Sequence, residues 1–488
     1  MNRLIVLLLL LWARPSVASN QTVVAVPFAA EGDLHWVGNG LAHALNLRIY
    51  AQPGLNAMAL RQVRAAARND NIALESAYVP QNASRLGRQL GAEVMVVGEL
   101  VGSLDAFEAR VRILNPDGGQ MLAEKTLKGG VDTLVELESK LAAELAMALG
   151  AENPDVTLGA FGTRSVEAWR HAILGLETLS YQSMSPRSAE SKSVLSAAQL
   201  DGARAHFEAA IALDEDYGEA YAGLGMVEIL QDQPVAARKH LEQCTAVWGE
   251  HQPTAVLASY DMRLRQDRFD DAARILENAV GQHPGFLHAR GYLAELYFQT
   301  GQYKKAISAY GDYIAVAPRQ PWALAQRGYA LSKIGDTDGA IADTIKAVDL
   351  LPQSPTLLIE LASRYIDAGK LIGAEDALRH ALELHPDEGR IYVRLCYVHL
   401  LQRNDEMAIP LCEKALTLSD APSRQRDRAY AHLNLGQALG RAGKTDAALG
   451  HLEQAKKLGV TRWSGLETDP ALETLRKTKR YRRVVKTP

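Results

Sequence analysis

Alanines recur at a nearly fixed interval through the C-terminal two-thirds of the chain, and other residues keep a constant phase to them. A large apolar residue commonly stands four positions after the alanine, and a small one commonly stands seven after it. Offsets of four and seven place side chains on one face of an α-helix. Each alanine therefore marks the buried stripe of one predicted helix. The eight are Ala203, Ala237, Ala272, Ala306, Ala340, Ala374, Ala408 and Ala448.

The interval between these marks indicates a repeated pair of helices. It is 34 or 35 residues across the first seven marks and 40 before the eighth. A glycine five residues ahead of the mark, such as Gly301, can adopt a left-handed turn between two helices. A proline twelve residues after it, such as Pro318, can begin the next helix. Copies two and three carry Asp232 and Asp267 at the glycine position. The pattern predicts about eight helical hairpins in residues 165–460.

This unit of small residues, turn glycine and proline at a spacing of 34 resembles the tetratricopeptide repeat. The best copies are 287–320, 321–354 and 355–388. The resemblance implies a superhelical solenoid, because a hairpin buries its apolar face only against its neighbours. It also implies binding of other proteins or peptides in a groove formed by the first helix of each hairpin. The implied groove residues are Met226, Leu264, Phe298, Trp322, Tyr329, Ile366, Arg390, Tyr397 and Leu400.

Residues 20–150 have a different pattern. Apolar runs with strand character at 22–28, 92–100 and 107–114 are interspersed with amphipathic segments such as His35–Ala51. A turn sequence at 115–119 precedes a further β-rich run. Alternating strands and helices followed by a hairpin favour a small α/β domain. The whole chain is therefore predicted to be α+β, with this domain followed by an all-α solenoid.

The same stretch resembles the N-terminal domain of the periplasmic Tol-system protein TolB and the modules that precede tetratricopeptide repeats in bacterial membrane-spanning transcription regulators. The residues that carry the resemblance are 23–28 with Pro27, 40–47, 90–98 and 117–118. The resemblance implies an interaction or sensory module in a bacterial protein. The sequence lacks the winged-helix segment of those regulators. Its net charge of −4 gives no general attraction to nucleic acid, so no nucleic-acid partner is expected.

The first 18 residues have the order of a secretory signal peptide. Arg3 precedes an apolar run at 4–12, and small residues at 16–18 suit cleavage after Ala18. We therefore expect a periplasmic or secreted protein, with a retained N-terminal anchor as the alternative. Cys396 and Cys412 share one predicted hairpin. They could form a disulfide in an oxidising compartment, although small core residues is the favoured interpretation.

Sequence motifs give little support for catalysis. Residues 438–445 imitate a phosphate-binding loop, but such a loop follows a strand, and Gly443 is in phase with the turn glycines. No serine nucleophile elbow and no His-Glu-x-x-His zinc motif occurs. We therefore expect no enzymatic activity, cofactor or metal.

The segment 461–488 reads as a capping helix over 469–485 with a basic tail. The basic residues are interpreted as a solvated helix face, and the alternative is contact with an anionic envelope surface.

Three functions remain open from the sequence. The favoured one is a non-enzymatic interaction scaffold or adaptor of the bacterial envelope, with the N-terminal domain as a second docking site. The second is a sensory component of an envelope signalling system that works with a membrane partner. The third, an enzyme with a cleft in the N-terminal domain, has no supporting motif.

Overall fold

The computed structural model describes residues 21–51, 54–58, 60–69, 72–149, 162–163, 165–179, 195–249, 252–418 and 424–485. The expected signal peptide and the last three residues of the basic tail lie outside this range. The chain divides into two compact units, Met1–Ala323 and Leu324–Pro488. This division does not coincide with the domain boundaries expected from the sequence, which stay predictions.

The described residues of the N-terminal region form a five-stranded sheet in the order β2-β1-β3-β4-β5. β1 pairs in parallel with β2 and β3, whereas β3, β4 and β5 are antiparallel. The sequence predicted every strand except β2, whose three residues are too few to show an alternating pattern. The strands are β1 (Gln21–Ala25), β2 (Leu55–Ala57), β3 (Val94–Ser103), β4 (Ala106–Asn115) and β5 (Gln120–Gly129).

Helices cover both faces of this sheet, because successive side chains of a strand point to opposite faces. Val23 and Ala25 of β1 share a core with α1 and α4, while Val24 and Val26 share a core with α2 and α3. The sequence did not predict α2. The four helices are α1 (His35–Ala51), α2 (Leu60–Asn69), α3 (Pro80–Gln89) and α4 (Leu134–Ala148).

The rest of the first unit consists of helical hairpins. All eight marker alanines of the chain are at most 1% exposed, so the predicted repeat phase is confirmed. The hairpins of this unit pair α5 (Val166–Leu179) with α6 (Ala197–Leu213), α7 (Gly218–Leu230) with α8 (Pro234–Trp248), α9 (Pro253–Arg265) with α10 (Phe269–Gln282) and α11 (Leu287–Gln299) with α12 (Tyr303–Val316).

The repeats continue to residue 457, and the α+β fold class is confirmed. The unit boundary falls inside α13 (Pro321–Lys333), which is followed by α14 (Thr337–Leu350). The second unit then pairs α15 (Pro355–Asp367) with α16 (Leu371–Leu384), α17 (Gly389–Leu401) with α18 (Asp405–Leu418) and α19 (Gln425–Arg441) with α20 (Thr445–Lys457).

The turns inside the hairpins require a left-handed residue whatever its type. Gly301 and Gly443 have φ of 75°, and Asp232 and Asp267 replace glycine with φ of 58° and 54°. Arg403 takes the same position in a seventh copy with φ of 60°. Gly443 therefore lies in the turn between α19 and α20. This confirms the prediction that residues 438–445 contain a hairpin turn rather than a phosphate-binding loop.

The structure decides one open alternative and corrects one prediction in the second unit. Cys396 of α17 and Cys412 of α18 are buried core residues, as favoured, and they also form the disulfide that the sequence left open. The single capping helix is broken at Thr478, whose extended backbone separates α22 (Glu473–Lys477) from α23 (Lys479–Val485) behind the short α21 (Ser464–Glu467). Leu472, Leu475 and Val484 are nevertheless buried against α19 and α20 and cap the last hairpin.

Some basic residues near the C-terminus form ion pairs within the chain. Arg480 contacts Glu453 at 2.8 Å, and Lys477 contacts Glu473 at 2.7 Å. These pairs favour the interpretation as a solvated helix face. Within the part of the chain that the structure describes, no helix is long and apolar enough to cross a membrane.

Candidate functional site

The α/β region packs directly on the first repeat hairpin, within the first unit. The indole rings of Trp36 and Trp169 meet edge to face with centroids 5.6 Å apart. Gly40 of α1 lies under the Trp169 ring, and a Cβ at this position would stand 2.5 Å from the ring. A glycine is therefore required for α1 to approach α5 this closely. The core of the sheet continues through this contact to Phe207 of α6.

Further contacts join the α/β region to the loops between later hairpins. The Asn56 amide donates to the Val316 carbonyl at 3.2 Å, and the Gln320 amide donates to the Leu90 carbonyl. Arg319 forms an ion pair with Asp117. These loop residues carry no periodic signal, so the sequence did not reveal that the α/β region reaches along four hairpins.

A cavity of about 200 Å³ lies where this packing is incomplete. Four helices, α1, α5, α7 and α9, each present one face to it, and α2 and the start of α11 complete the wall. On α1 the lining residues Asn39, His43, Asn46 and Tyr50 are spaced three or four apart, as one face of a helix requires. A polar stripe on a largely buried helix is the signal that could have indicated this site.

The α9 wall of the cavity is also one helical face. Thr254, Leu257, Ala258 and Asp261 stand at offsets of three, four and seven. Thr254 Oγ1 donates to Glu219 Oε1 at 2.7 Å, which ties α9 to the start of α7. At the other end of the stripe, Asp261 Oδ2 accepts from Arg265 Nε at 2.8 Å. Two buried carboxylates thus stand at the two ends of one apolar stretch.

A separate polar group occupies the α1–α2 side of the cavity. Arg64 donates to Asn39 Oδ1 at 2.9 Å, and the amide of Asn39 contacts His35 Nε2 at 3.1 Å. Burial raises the pKa of Glu177 above its ordinary value, while the nearby His35 and Arg64 oppose this shift. The cationic Arg64 is therefore associated with Glu177 and Asn39 on this side of the cavity.

The structure places the predicted groove residues in three kinds of environment. Met226 lines the cavity of the first unit and is partly exposed. Leu264 and Leu400 are 5% and 1% exposed, so their placement on an open groove is wrong. Leu400 packs beside the Cys396–Cys412 pair in the core of the second unit. The twelfth position of these helices faces neighbouring helices, which a single repeat pattern does not distinguish from the groove face.

The remaining candidates keep exposed surface. Trp322 is 40% exposed, and its ring leans edge-on against Tyr310 and Tyr313 at 5.8 and 5.7 Å between centroids. Phe298 is partly exposed and packs edge-on against Tyr303. These aromatic residues are held by neighbours of their own unit and still present one edge to solvent.

In the second unit, four predicted groove residues are partly exposed: Tyr329, Ile366, Arg390 and Tyr397. Lys333 and Arg364 lie over the Tyr329 ring at 4.6 and 4.8 Å from its centroid. Arg390 contacts Glu388 at 3.1 Å. The structure thus leaves these four able to contact another chain, and whether they bind one stays a prediction.

Comparison with known proteins shows that the chain contains tetratricopeptide repeats. Residues 263–328 and 387–458 each match a tetratricopeptide repeat model. Proteins with such repeats generally act as protein-interaction scaffolds.

Two curated relatives share low identity with this chain. It is 27% identical over 290 residues to cellulose synthase 2 operon protein C of Komagataeibacter xylinus, which covers 55% of this chain and 21% of that protein. It is 23% identical over 296 residues to the BBSome complex member BBS4 of Bos taurus, covering 54% and 57% of the two chains. The chain therefore spans less than two thirds of the length of either relative.

Solved structures of tetratricopeptide proteins are also similar. A tetratricopeptide repeat protein from Parabacteroides merdae is 16% identical with a TM-score of 0.41, covering 53% of this chain and 98% of that one. MamA from Desulfovibrio magneticus is 18% identical with a TM-score of 0.31, covering 34% and 96%.

Proposed function

We propose that this chain is a non-enzymatic interaction scaffold of the bacterial cell envelope, which binds segments of partner proteins on the first helices of its repeat hairpins. The observation that carries the proposal is the exposed edge of Trp322, an aromatic residue held rigidly by Tyr310 and Tyr313. Anchored aromatic residues with an exposed edge are typical centres of binding energy in protein interfaces. An apolar helix or extended peptide is the partner chemistry that suits such an edge.

Site-specific photo-crosslinking in cells of the source organism tests this function. A benzophenone amino acid would replace Trp322 or Tyr397, and, as a matched control, Ile372, which is 76% exposed on the second helix of a hairpin. We expect a discrete crosslinked partner from positions 322 or 397 and none from 372. The partner crosslinked from position 397 should be lost when Tyr329→Ala is added in the same unit. Equal crosslinking from all three positions would contradict the proposal.

Export to the periplasm or beyond is part of the same proposal. The buried disulfide between Cys396 and Cys412 supports it, because such bonds persist in oxidising compartments and are rare in the cytosol. Fractionation of cells followed by mass spectrometry of the N-terminus tests it. We expect a mature chain that begins at residue 19. A cytosolic protein that retains residues 1–18 would rule out export by this signal.

The α/β region is proposed as a second docking module, as its resemblance to the TolB N-terminal domain implies. Deleting the region would not test this cleanly, because it shares a core with α5 and α6. A better probe is a crosslinker at Met121 or Leu122, which are 40% and 43% exposed on β5. A partner trapped there, and different from the one trapped by the repeats, is the expected result.

A further inference from the structure

We propose that the cavity between α1, α5, α7 and α9 binds a primary ammonium group carried on a linear apolar chain. This ligand site is separate from the exposed repeat residues that carry the scaffold function, and either could exist without the other. The inference rests on one buried carboxylate, its neighbours and the shape of the space beside them.

Glu219 is the centre of the site. Its side chain is 1% exposed, and Thr254 Oγ1 donates to its Oε1 at 2.7 Å. Its Oε2 accepts no hydrogen bond from any described residue, and no lysine or arginine among them pairs with it. A buried carboxylate with an unused oxygen is costly unless a donor or a cation reaches it. Glu219 therefore calls for a cationic donor in the cavity that it lines.

His43 supplies a second acceptor beside the first. Its Nε2 lies 3.5 Å from Glu219 Oε1, an ion pair only if the imidazole is protonated, and it has no hydrogen-bond partner among the described residues. In the tautomer with the proton on Nδ1, Nε2 is an acceptor. A primary ammonium has three N–H donors and can satisfy Glu219 Oε2 and His43 Nε2 together. A hydroxyl has one donor and cannot satisfy both.

The walls beyond Glu219 are apolar. Met226 and Leu230 continue along α7, and Leu257 and Ala258 continue along α9. An engineered cavity of about 150 Å³ accepts benzene, so a space of about 200 Å³ suits a ligand of roughly six to ten non-hydrogen atoms. The hydrocarbon chain of the ligand would follow this apolar stretch.

A second carboxylate stands at the far end of the stretch. Asp261 follows Thr254 by seven residues, which corresponds to about 10 Å along α9. Its Oδ2 is paired with Arg265, but its Oδ1 has no hydrogen-bond partner among the described residues and the residue lines the cavity. A linear diamine of suitable length would therefore have an acceptor at each end.

An anionic ligand does not suit this space. Among the lining residues described, the arginine is Arg64, and it donates to Asn39 and lies near Glu177. Glu219 and Asp261 would repel a carboxylate or phosphate placed between them. The charge of the walls thus selects a cation.

Calorimetry and thermal unfolding of the full-length protein test the proposal. The probes are hexylamine, 1,5-diaminopentane and, as size-matched neutral and anionic controls, 1-hexanol and hexanoate. We expect hexylamine to raise the melting temperature and to bind at least ten times more tightly than 1-hexanol or hexanoate. Glu219→Gln, which keeps an acceptor for Thr254, should weaken hexylamine binding at least tenfold.

Glu228→Gln is the matched control for loss of a buried carboxylate. Glu228 is on the same helix and pairs with Arg204 and His240, away from the cavity lining. It should keep wild-type affinity for hexylamine. Nα-acetyl-lysine methylamide separates the sources of the ammonium. Binding tighter than that of hexylamine, and dependent on Glu219, would assign the site to a lysine side chain of a protein.

Three results would overturn the proposal. They are equal binding of hexylamine and 1-hexanol, unchanged binding in Glu219→Gln, and no binding of any amine probe, which would mean that the cavity holds water. If Glu219→Gln does not fold, the comparison of the four probes and the variant Asp261→Asn, which should weaken the diamine more than hexylamine, still decide the question.

Discussion

The same positions of a repeat hairpin have different neighbours in the two units of this chain. In the first unit, the second and ninth residues of α7 and α9 line a cavity against the α/β region. They are Glu219, Met226, Thr254 and Asp261. In the second unit, the corresponding residues of α17, Arg390 and Tyr397, remain partly exposed. The difference teaches that repeat position alone does not define a binding surface, because a packed neighbouring domain can make a groove face one wall of a cavity.

The largest expected effect is a loss of stability in the second unit when its disulfide is removed. Replacing Cys396 and Cys412 by alanine should lower the free energy of unfolding of the second unit by about 2–4 kcal/mol, because the disulfide limits the unfolded chain. Hydrogen exchange should then rise in α17 and α18 and stay unchanged in α1 and α5. The control is Cys244→Ala, which removes a buried thiol from the first unit. Exchange that rises equally in both units would show that they unfold together.

The contact between α1 and α5 is the next most sensitive feature. Gly40→Ala should cost about 1–3 kcal/mol, because the added methyl group overlaps the Trp169 ring. Gly202→Ala in α6 is the matched control. Its new methyl group meets open space, so it should stabilise the protein by about 0.5–1 kcal/mol. Thermal unfolding of the two variants measures the loss of stability in one and the gain in the other. Similar losses in the two would mean that Gly40 does not set the approach of the helices.

Each unit contains a pair of neighbouring histidines, so the pH dependence of stability can be compared between the two units. His171 and His206 approach to 3.0 Å between Nδ1 atoms, and His432 and His451 approach to 2.9 Å. Burial, together with His451 and Arg428, lowers the pKa of His432 to about 4. Burial also lowers the pKa values of His451 and His206.

Since these pKa values are lower in the folded state, the unfolded state binds protons first as the pH falls. Stability should therefore be complete above about pH 6.5 and fall toward pH 4, by about 1–2 kcal/mol for the second unit once solvent screening is allowed for. Urea unfolding at pH 7, 5.5 and 4 measures this. His432→Asn should flatten the profile, while the exposed His380→Gln should not. A profile unchanged in His432→Asn would count against the assignment.

The smallest effect concerns exposed ion pairs. Arg319→Ala removes the pair with Asp117 in the first unit, and Lys370→Ala removes the pair with Asp338 in the second. Each should cost less than about 1 kcal/mol, because solvent screens such pairs. Melting temperatures of both variants check this. A much larger loss in Arg319→Ala than in Lys370→Ala would show that the pair is essential to docking of the α/β region.

Much of the fold could be predicted because its helices follow a periodic pattern of residues that are close in the sequence. The phase of the marker alanines located the helices of the repeats, and apolar, β-rich runs with a turn sequence located four of the five described strands. β2 and α2 were not predicted. A strand of three residues, such as β2, is too short to show a pattern. The capping segment was predicted as one helix, but Thr478 has an extended backbone and its hydroxyl donates to the Leu475 carbonyl and accepts from the Tyr481 amide, which divides the segment into two short helices.

The site was predicted less well, for a related reason. Met226 was identified as a groove residue, but Glu219, His43 and Asp261, which line the same cavity, were not. They come from α7, α1 and α9, and no interval in the chain connects them. Leu264 and Leu400 satisfied the groove pattern and are nevertheless buried.

The sequence by itself determined the repeat: its period, its buried alanines and its left-handed turns, because each depends on side chains within one hairpin or between adjacent ones. Only the tertiary structure decided which face of those hairpins is open. That outcome depends on Gly40, Trp169 and Gln320, residues far apart in the chain that allow the α/β region to pack on the repeats. Close packing between distant segments is set by complementary shape, which no local pattern of residues encodes.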